Sequence, residues 1–208
     1  VTAPPESSST AAANWARAAW VWSSASRGMS MVRAWAATAA GAVVLDGAGG
    51  SGPRVTCVTV GKVNDKGIKD ANNMGAAMAP AAYDTLKAHF ADTGRGPDYY
   101  DLIVTGDLGY LGHQIVADFF ARDGVRLDNY NDCGLILFRR KEQDVHCGAS
   151  GCGCSAAVLT AYLLPGLERG LWRRILFCPT GALLSPTSTM QGESIPGICH
   201  AVVLEGGN

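Results

Sequence analysis

Short β-branched runs alternate with helix-spaced segments from residue 38 onward, and this order constrains the chain more than any other feature. "GAVVL" (41–45) and "RVTCVTVGKV" (54–63) read as two strands separated by the turn-forming "DGAGGSGP". In "MGAAMAPAAYDTLKAHFADTG" (74–94), Ala82, Leu86 and Phe90 recur at helical spacing, which predicts a helix stopped by Gly94 with Pro80 in its first turn. "YDLIVTGD" (100–107) predicts a buried strand, "GHQIVADFFARDG" (112–124) a helix closed by Gly124, and "CGLILF" (133–138) another strand. A helix from about Cys154 to Leu164, disturbed at Pro165 and Gly166, precedes two strands in 173–184 and 197–205. The order β, β, α, β, α, β, α, β, β argues an α/β sheet with helices packed on it.

About half of the 208 residues are hydrophobic, enough to bury a sizeable core. The 17 basic and 18 acidic residues nearly cancel without a basic stripe, which argues against nucleic acid as a partner. Many of the 26 glycines end apolar runs, as expected where loops build sites. Seven cysteines at irregular spacing, with Cys57, Cys133 and Cys178 inside apolar runs, read as reduced thiols.

Residues 1–37 form an atypical leader rich in Ala, Ser and Trp, set apart from a domain over 38–208. Its polar Pro4, Pro5 and Glu6 do not suit a signal peptide, and no run of apolar residues is long enough to span a bilayer. The expectation is a soluble chain, or one held at a membrane through a partner. Trp15, Trp20, Trp22 and Trp35 with Arg17, Arg27 and Arg33 also suit a segment lying on an anionic surface, although the apolar residues keep no clean helical face.

"QDVHCGASGCGCSAAVLTAYLL" (143–164) admits three chemistries. His146, Cys147, Cys152 and Cys154 are ligand types for zinc, but their spacing lacks a second pair, so no metal site is expected. Cys152 or Cys154 at a helix start could be an activated thiol, or a small packed residue. The favoured reading uses the backbone: amides around Gly148, Ser150 and Gly151 at a helix start form a nest for a carboxylate or phosphate. Asp107, ending a strand, is either a helix cap or a ligand-facing carboxylate, and His113 opens the next helix where α/β sheets usually place ligands. The Ser/Thr-rich loop within 180–202 has the composition of a binding loop or of a solvated one, and His200 reads as a core histidine.

Taken together, "GKVNDKGIKDANNMGAAMAPAA", "DLIVTGDLGYLGH", "DCGLI", "QDVHCGASGCGCSA" and "TGALLSPTSTMQGESIPGICHAV" resemble the stage V sporulation protein AD family of endospore-forming bacteria, from about Trp35 to Glu205. The resemblance implies a thiolase-like layered α/β fold, of which this chain would hold the end of the first half and the whole of the second. It implies binding of dipicolinic acid, alone or with calcium, and uptake of that compound into the developing spore. Other stage V sporulation membrane proteins would be its partners at the forespore inner membrane, on the cytoplasmic side. No cofactor is expected, and no oligomeric state follows.

A pocket for a planar pyridine dicarboxylate needs donors for two carboxylates and flat walls. Gly148, Ser150 and Gly151 would offer a backbone anion site, Asp107, His113 and His146 would line it, and Ser185, Thr187 and Ser188 would supply hydroxyls. The alternative is an acyl-transferring enzyme of the thiolase or ketoacyl synthase kind. In that family the second-half histidine lies in an "HPxGASG" phrase; "HCGASG" points to His146, whereas counting back from Gly181 points to Ser150. The nucleophilic cysteine of thiolases lies in the first half, so no cysteine here takes its role and no catalytic residue is assigned.

Overall fold

The computed structural model describes residues 35–37, 39–47 and 50–207. Its centre is a five-stranded mixed sheet built from β2 (Arg54–Thr59), β3 (Leu102–Thr105), β4 (Tyr130–Asp132), β6 (Arg174–Cys178) and β9 (Ala201–Glu205), in the order β2-β9-β6-β3-β4. β4, β3 and β6 run parallel, while β9 is antiparallel to both β6 and β2. Short ladders join β1 (Trp35–Ala36) to β5 (Ala149–Ser150) and β7 (Thr180–Ala182) to β8 (Gly197–Cys199).

The period-2 alternation of the strands divides the core into two layers. Ile103, Leu176 and Val203 face α1 (Met74–Thr93) and α2 (Gly109–Arg122), meeting Met78, Ala82, Leu86, Val116 and Phe120. Val104, Ile175, Phe177 and Leu204 face the other way, onto Cys154, Val158, Leu163 and Leu167. Those last residues belong to α5 (Cys152–Val158), a π-helical turn (Leu159–Leu163) and α6 (Leu164–Glu168). Each fully buried Leu or Ile contributes roughly 1.5–3 kcal/mol, so these two apolar layers hold the sheet between helices. The result is the layered α/β arrangement that the sequence predicts.

Helix boundaries follow their caps. Asn73 accepts from the Ala76 amide at 3.2 Å to start α1, and Gly94 ends it at φ 64°. Gly124, at φ 76°, follows the end of α2. Pro80 lies two turns into α1 rather than in its first turn; the helix runs on through it, with Ala79 and Ala81 buried on either side of it in the chain.

Other departures have physical causes. Residues 41–45 form no strand: no described segment pairs with them, and Val44 and Leu45 are exposed. β-propensity without a ladder partner does not make a strand. The apolar run at 133–138 is helical at its start, as α3 (Cys133–Ile136), because the Asp132 side chain accepts from the Gly134 amide and caps it. The strand there is the polar triplet before it, β4. The helix from Cys152 runs past Pro165 because the π turn, closed by the Leu164 amide on the Leu159 carbonyl, re-registers the backbone ahead of the proline. Both C-terminal strands break once, at Pro179 and at His200, where the His200 amide donates to the Pro179 carbonyl at 3.2 Å. That bend peels β7 and β8 away from the main sheet.

Candidate functional site at the carboxyl edge of the sheet

Because β4, β3 and β6 are parallel, their carboxyl ends emerge on one edge, with β3 between its two neighbours. From β3 the chain passes to β4 on one side and later to β6 on the other, the arrangement that opens a crevice in α/β sheets. Thr105, Asp107, Asp132 and Thr180 all lie at this edge.

Asp132 is fully buried. One carboxylate oxygen accepts from the amides of Gly109 and Gly134, each at 2.9 Å. The other accepts from Thr105 Oγ1 at 2.7 Å and the Leu108 amide at 3.0 Å. Burial pushes the Asp132 carboxyl up to about 7, against the pull of its donors. Thr105 Oγ1 also meets the Tyr130 hydroxyl at 3.0 Å, and His113 stacks on the Tyr130 ring at 4.3 Å. Burial lowers the His113 pKa, so its imidazole is neutral at pH 7.

Asp107 occupies the expected anion nest itself. Its carboxylate accepts from Thr180 Oγ1 at 2.7 Å, the Gly151 amide at 2.8 Å and Ser150 Oγ at 3.1 Å. Burial raises its pKa, partly offset by these three donors. The glycines make this approach possible. Gly151 stands at φ 106° and Gly148 at φ 90°, where a Cβ on Gly148 would collide with the Gly134 carbonyl. The Gly148 amide donates to the Val145 carbonyl at 2.7 Å. Two acids at the strand ends therefore pin the loops before α2, α3 and α5 into one edge.

The sequence-derived residues thus separate. Asp107, Ser150 and Gly151 come together and satisfy one another, with Gly148 shaping the turn beside them. His113 lies one strand away, against Tyr130. His146, at φ 42°, places Nδ1 3.9 Å from the Asp144 carboxylate, and its carbonyl accepts from Arg140 Nε at 2.6 Å. Ser185 caps α7 (Pro186–Met190) by accepting from the Ser188 amide at 3.0 Å, and Thr187 is exposed on the same turn. The hydrogen bonds of Ser185 and Ser188 stay within that turn and reach neither acid. His200 is half-buried, its Nδ1 accepting from the Gly61 amide at 3.1 Å.

Sequence reasoning missed Asp132, Thr105 and Thr180. Their signal was positional: each polar residue ends or follows a strand. It also missed an open cavity of about 430 Å³ beside His113, lined by Tyr110, Phe138, Arg139, Arg140 and Lys141 among others. The Arg140 guanidinium lies 4.0 Å over the Tyr110 ring.

Three of the cysteines near this edge are buried. Burial raises the pKa of Cys133, Cys154 and Cys178, the reverse of what an activated nucleophile needs. Among the described residues, no group of three or more His, Cys, Asp or Glu is disposed to hold a metal ion. No described helix is long and apolar enough to cross a membrane.

Comparison with known proteins places this architecture in context. Residues 24–205 match the family model described as stage V sporulation protein AD. The chain is 47% identical over 169 residues to the stage V sporulation protein AD of Bacillus subtilis (strain 168), covering 81% of this chain and 49% of that protein. It therefore spans about half the length of the relative it matches. Among solved structures it is similar to AbyA1, a tetronic acid condensing enzyme, at 12% identity and a TM-score of 0.42, over 77% of this chain and 49% of that one. It is also similar to the 3-oxoacyl-[acyl-carrier-protein] synthase III of Aquifex aeolicus VF5, at 8% identity and a TM-score of 0.36, over 71% of this chain and 44% of that one.

Proposed function

The chain belongs to the stage V sporulation protein AD family, and from that premise we propose that it binds dipicolinic acid and assists its uptake into the developing spore. It does so as part of a stage V assembly at the forespore membrane, with the other stage V proteins as partners. The observation that carries this reading is the family match over residues 24–205.

The physical demands of the ligand support it. Dipicolinate is a flat pyridine ring bearing two carboxylates, so its site combines aromatic walls with fixed donors or cations. The carboxyl edge provides a rigid frame for such a site, because Asp107 and Asp132 between them hold the loops before α2, α3 and α5. In this reading His113 lines the ligand through its side chain and His146 acts from the loop beside it. Asp107, Gly148, Ser150 and Gly151 act by holding its wall, since the carboxylate of Asp107 already uses the Ser150 and Gly151 donors. Ser185 and Ser188 bond each other within their own turn and Thr187 is exposed beside them, so these three are left out of the contact set.

The test is thermal unfolding of the whole chain with dipicolinate, with dipicolinate plus calcium, and with pyridine-2-carboxylate as control. A ligand that prefers the folded state raises the midpoint, by an amount that grows with concentration. A rise with the dicarboxylate and not with the monocarboxylate is expected. A cooperative transition indifferent to all three additions overturns the reading.

A further inference from the structure

Resting on the dipicolinate reading, we infer that the dicarboxylate docks in the open cavity between α2 and α4 (Arg140–Gln143), with Arg140 and Lys141 taking its charge and Tyr110 and Phe138 its ring. At about 430 Å³ the cavity falls within the range of small-molecule sites and is far larger than one aromatic diacid requires.

Charge is the first argument. The lining carries Arg139, Arg140 and Lys141 against Glu142 alone, three positive charges less one negative, or +2, on a chain whose formal net charge is −1. His113 adds none, since burial keeps it neutral at pH 7. A dianion matches this excess and a monoanion leaves half of it uncompensated.

Preorganisation is the second. Arg139 is paired with Glu142 at 3.3 Å. Arg140 and Lys141 form no ion pair among the described residues. Arg140 is nonetheless held in place: Nε donates to the His146 carbonyl at 2.6 Å, and the guanidinium stacks 4.0 Å over Tyr110. A guanidinium fixed at Nε keeps its terminal N–H groups for a carboxylate, and such charge-assisted pairs are the stronger hydrogen bonds. Tyr110, Leu135 and Phe138 supply the apolar surface that a planar ring covers.

The anchoring also gives His146 a role: its carbonyl, on a left-handed residue at φ 42°, is the acceptor that orients Arg140. The loop that sequence reasoning singled out thereby acts on the cavity through its backbone.

The test is calorimetric titration of the whole chain with dipicolinate, pyridine-2-carboxylate and inorganic phosphate, repeated on Lys141→Glu and Tyr110→Ala. Lys141 is exposed, so reversing its charge leaves the fold intact while removing an attraction and adding a repulsion; binding is expected to weaken by roughly tenfold at low salt. Tyr110→Ala is expected to weaken dipicolinate more than phosphate. If the unaltered chain binds dipicolinate and Lys141→Glu binds it equally well, the ligand sits elsewhere and this inference fails while the proposed function stands. Phosphate binding as tightly as dipicolinate overturns the aromatic dicarboxylate as the occupant. An unaltered chain that binds none of the three overturns the function itself, and this inference with it.

Discussion

At the scale of single residues, the carboxyl edge depends on Asp132. Its four acceptor contacts reach three backbone amides and one hydroxyl, and a protonated carboxyl keeps all of them by turning its own O–H toward Thr105 Oγ1. An asparagine cannot: its amide nitrogen, placed toward Thr105, faces the Leu108 N–H donor. Asp132→Asn is expected to destabilise the protein by about 1–3 kcal/mol in urea unfolding, the cost of one buried amide left unsatisfied. The carboxyl also sets a pH dependence. Its folded value of about 7 stands above the ordinary 3.8, so the native state binds more protons between those limits. The stability it contributes is fully present below about 4 and lost as pH rises through about 7. His89 and His113, lowered by burial, act in the opposite sense, contributing stability above 6.5 that is lost as pH falls. They are common to both proteins and cancel in a comparison. The unfolding free energy of the unaltered chain minus that of Asp132→Asn should be larger at pH 5 than at pH 8; a difference that shrinks toward acid would contradict the assignment.

At the scale of elements, α1 and α2 cross at a pair of glycines. A Cβ on Gly112 would stand 2.8 Å from Leu108 Cβ and 2.9 Å from both the Cα and the carbonyl of Gly75. Alanine in a helix interior gains about 1 kcal/mol over glycine, whereas forcing a methyl into a packed contact typically costs about 1–3 kcal/mol. Two of the three close atoms are backbone and cannot swing away, so Gly112→Ala should lower the urea midpoint; a raised midpoint would show a looser crossing. The same elements show what the sequence made legible. α1, α2, β3, β6 and β9 were readable because their apolar spacing, and the stops at Gly94 and Gly124, follow from local geometry. β4 was not, because "YND" looks like a turn and becomes a strand only through its ladder with β3. Residues 41–45 failed in the reverse way, with strong β-propensity and no described partner. The site divides along the same line. Asp107 and the 148–151 loop stood out as strand end and glycine cluster, but that they bind each other is a property of the folded edge. Arg140, on a polar surface helix of four residues, gave no local signal at all.

At the scale of the molecule, two helical layers hold a mixed sheet whose parallel strands share one edge, and two buried acids make that edge rigid. Rigidity bears on the proposed function, since a small dianion gains affinity where its donors and cations are already in place. The frame lies within the buried layers of the fold, whereas the cations lie on the short surface helix beside it. Val55, Val58, Val60 and Val63, on and just after edge strand β2, are more than two-fifths exposed and add nothing to the frame. The proposed function requires that the whole chain take up a pyridine dicarboxylate. Equilibrium dialysis against dipicolinate, read by the ligand's own ultraviolet absorbance, measures that directly. Saturable uptake that pyridine-2-carboxylate fails to displace at equal concentration, and that declines as salt is raised, is the predicted result. Equal ligand on both sides of the membrane at every concentration would contradict it.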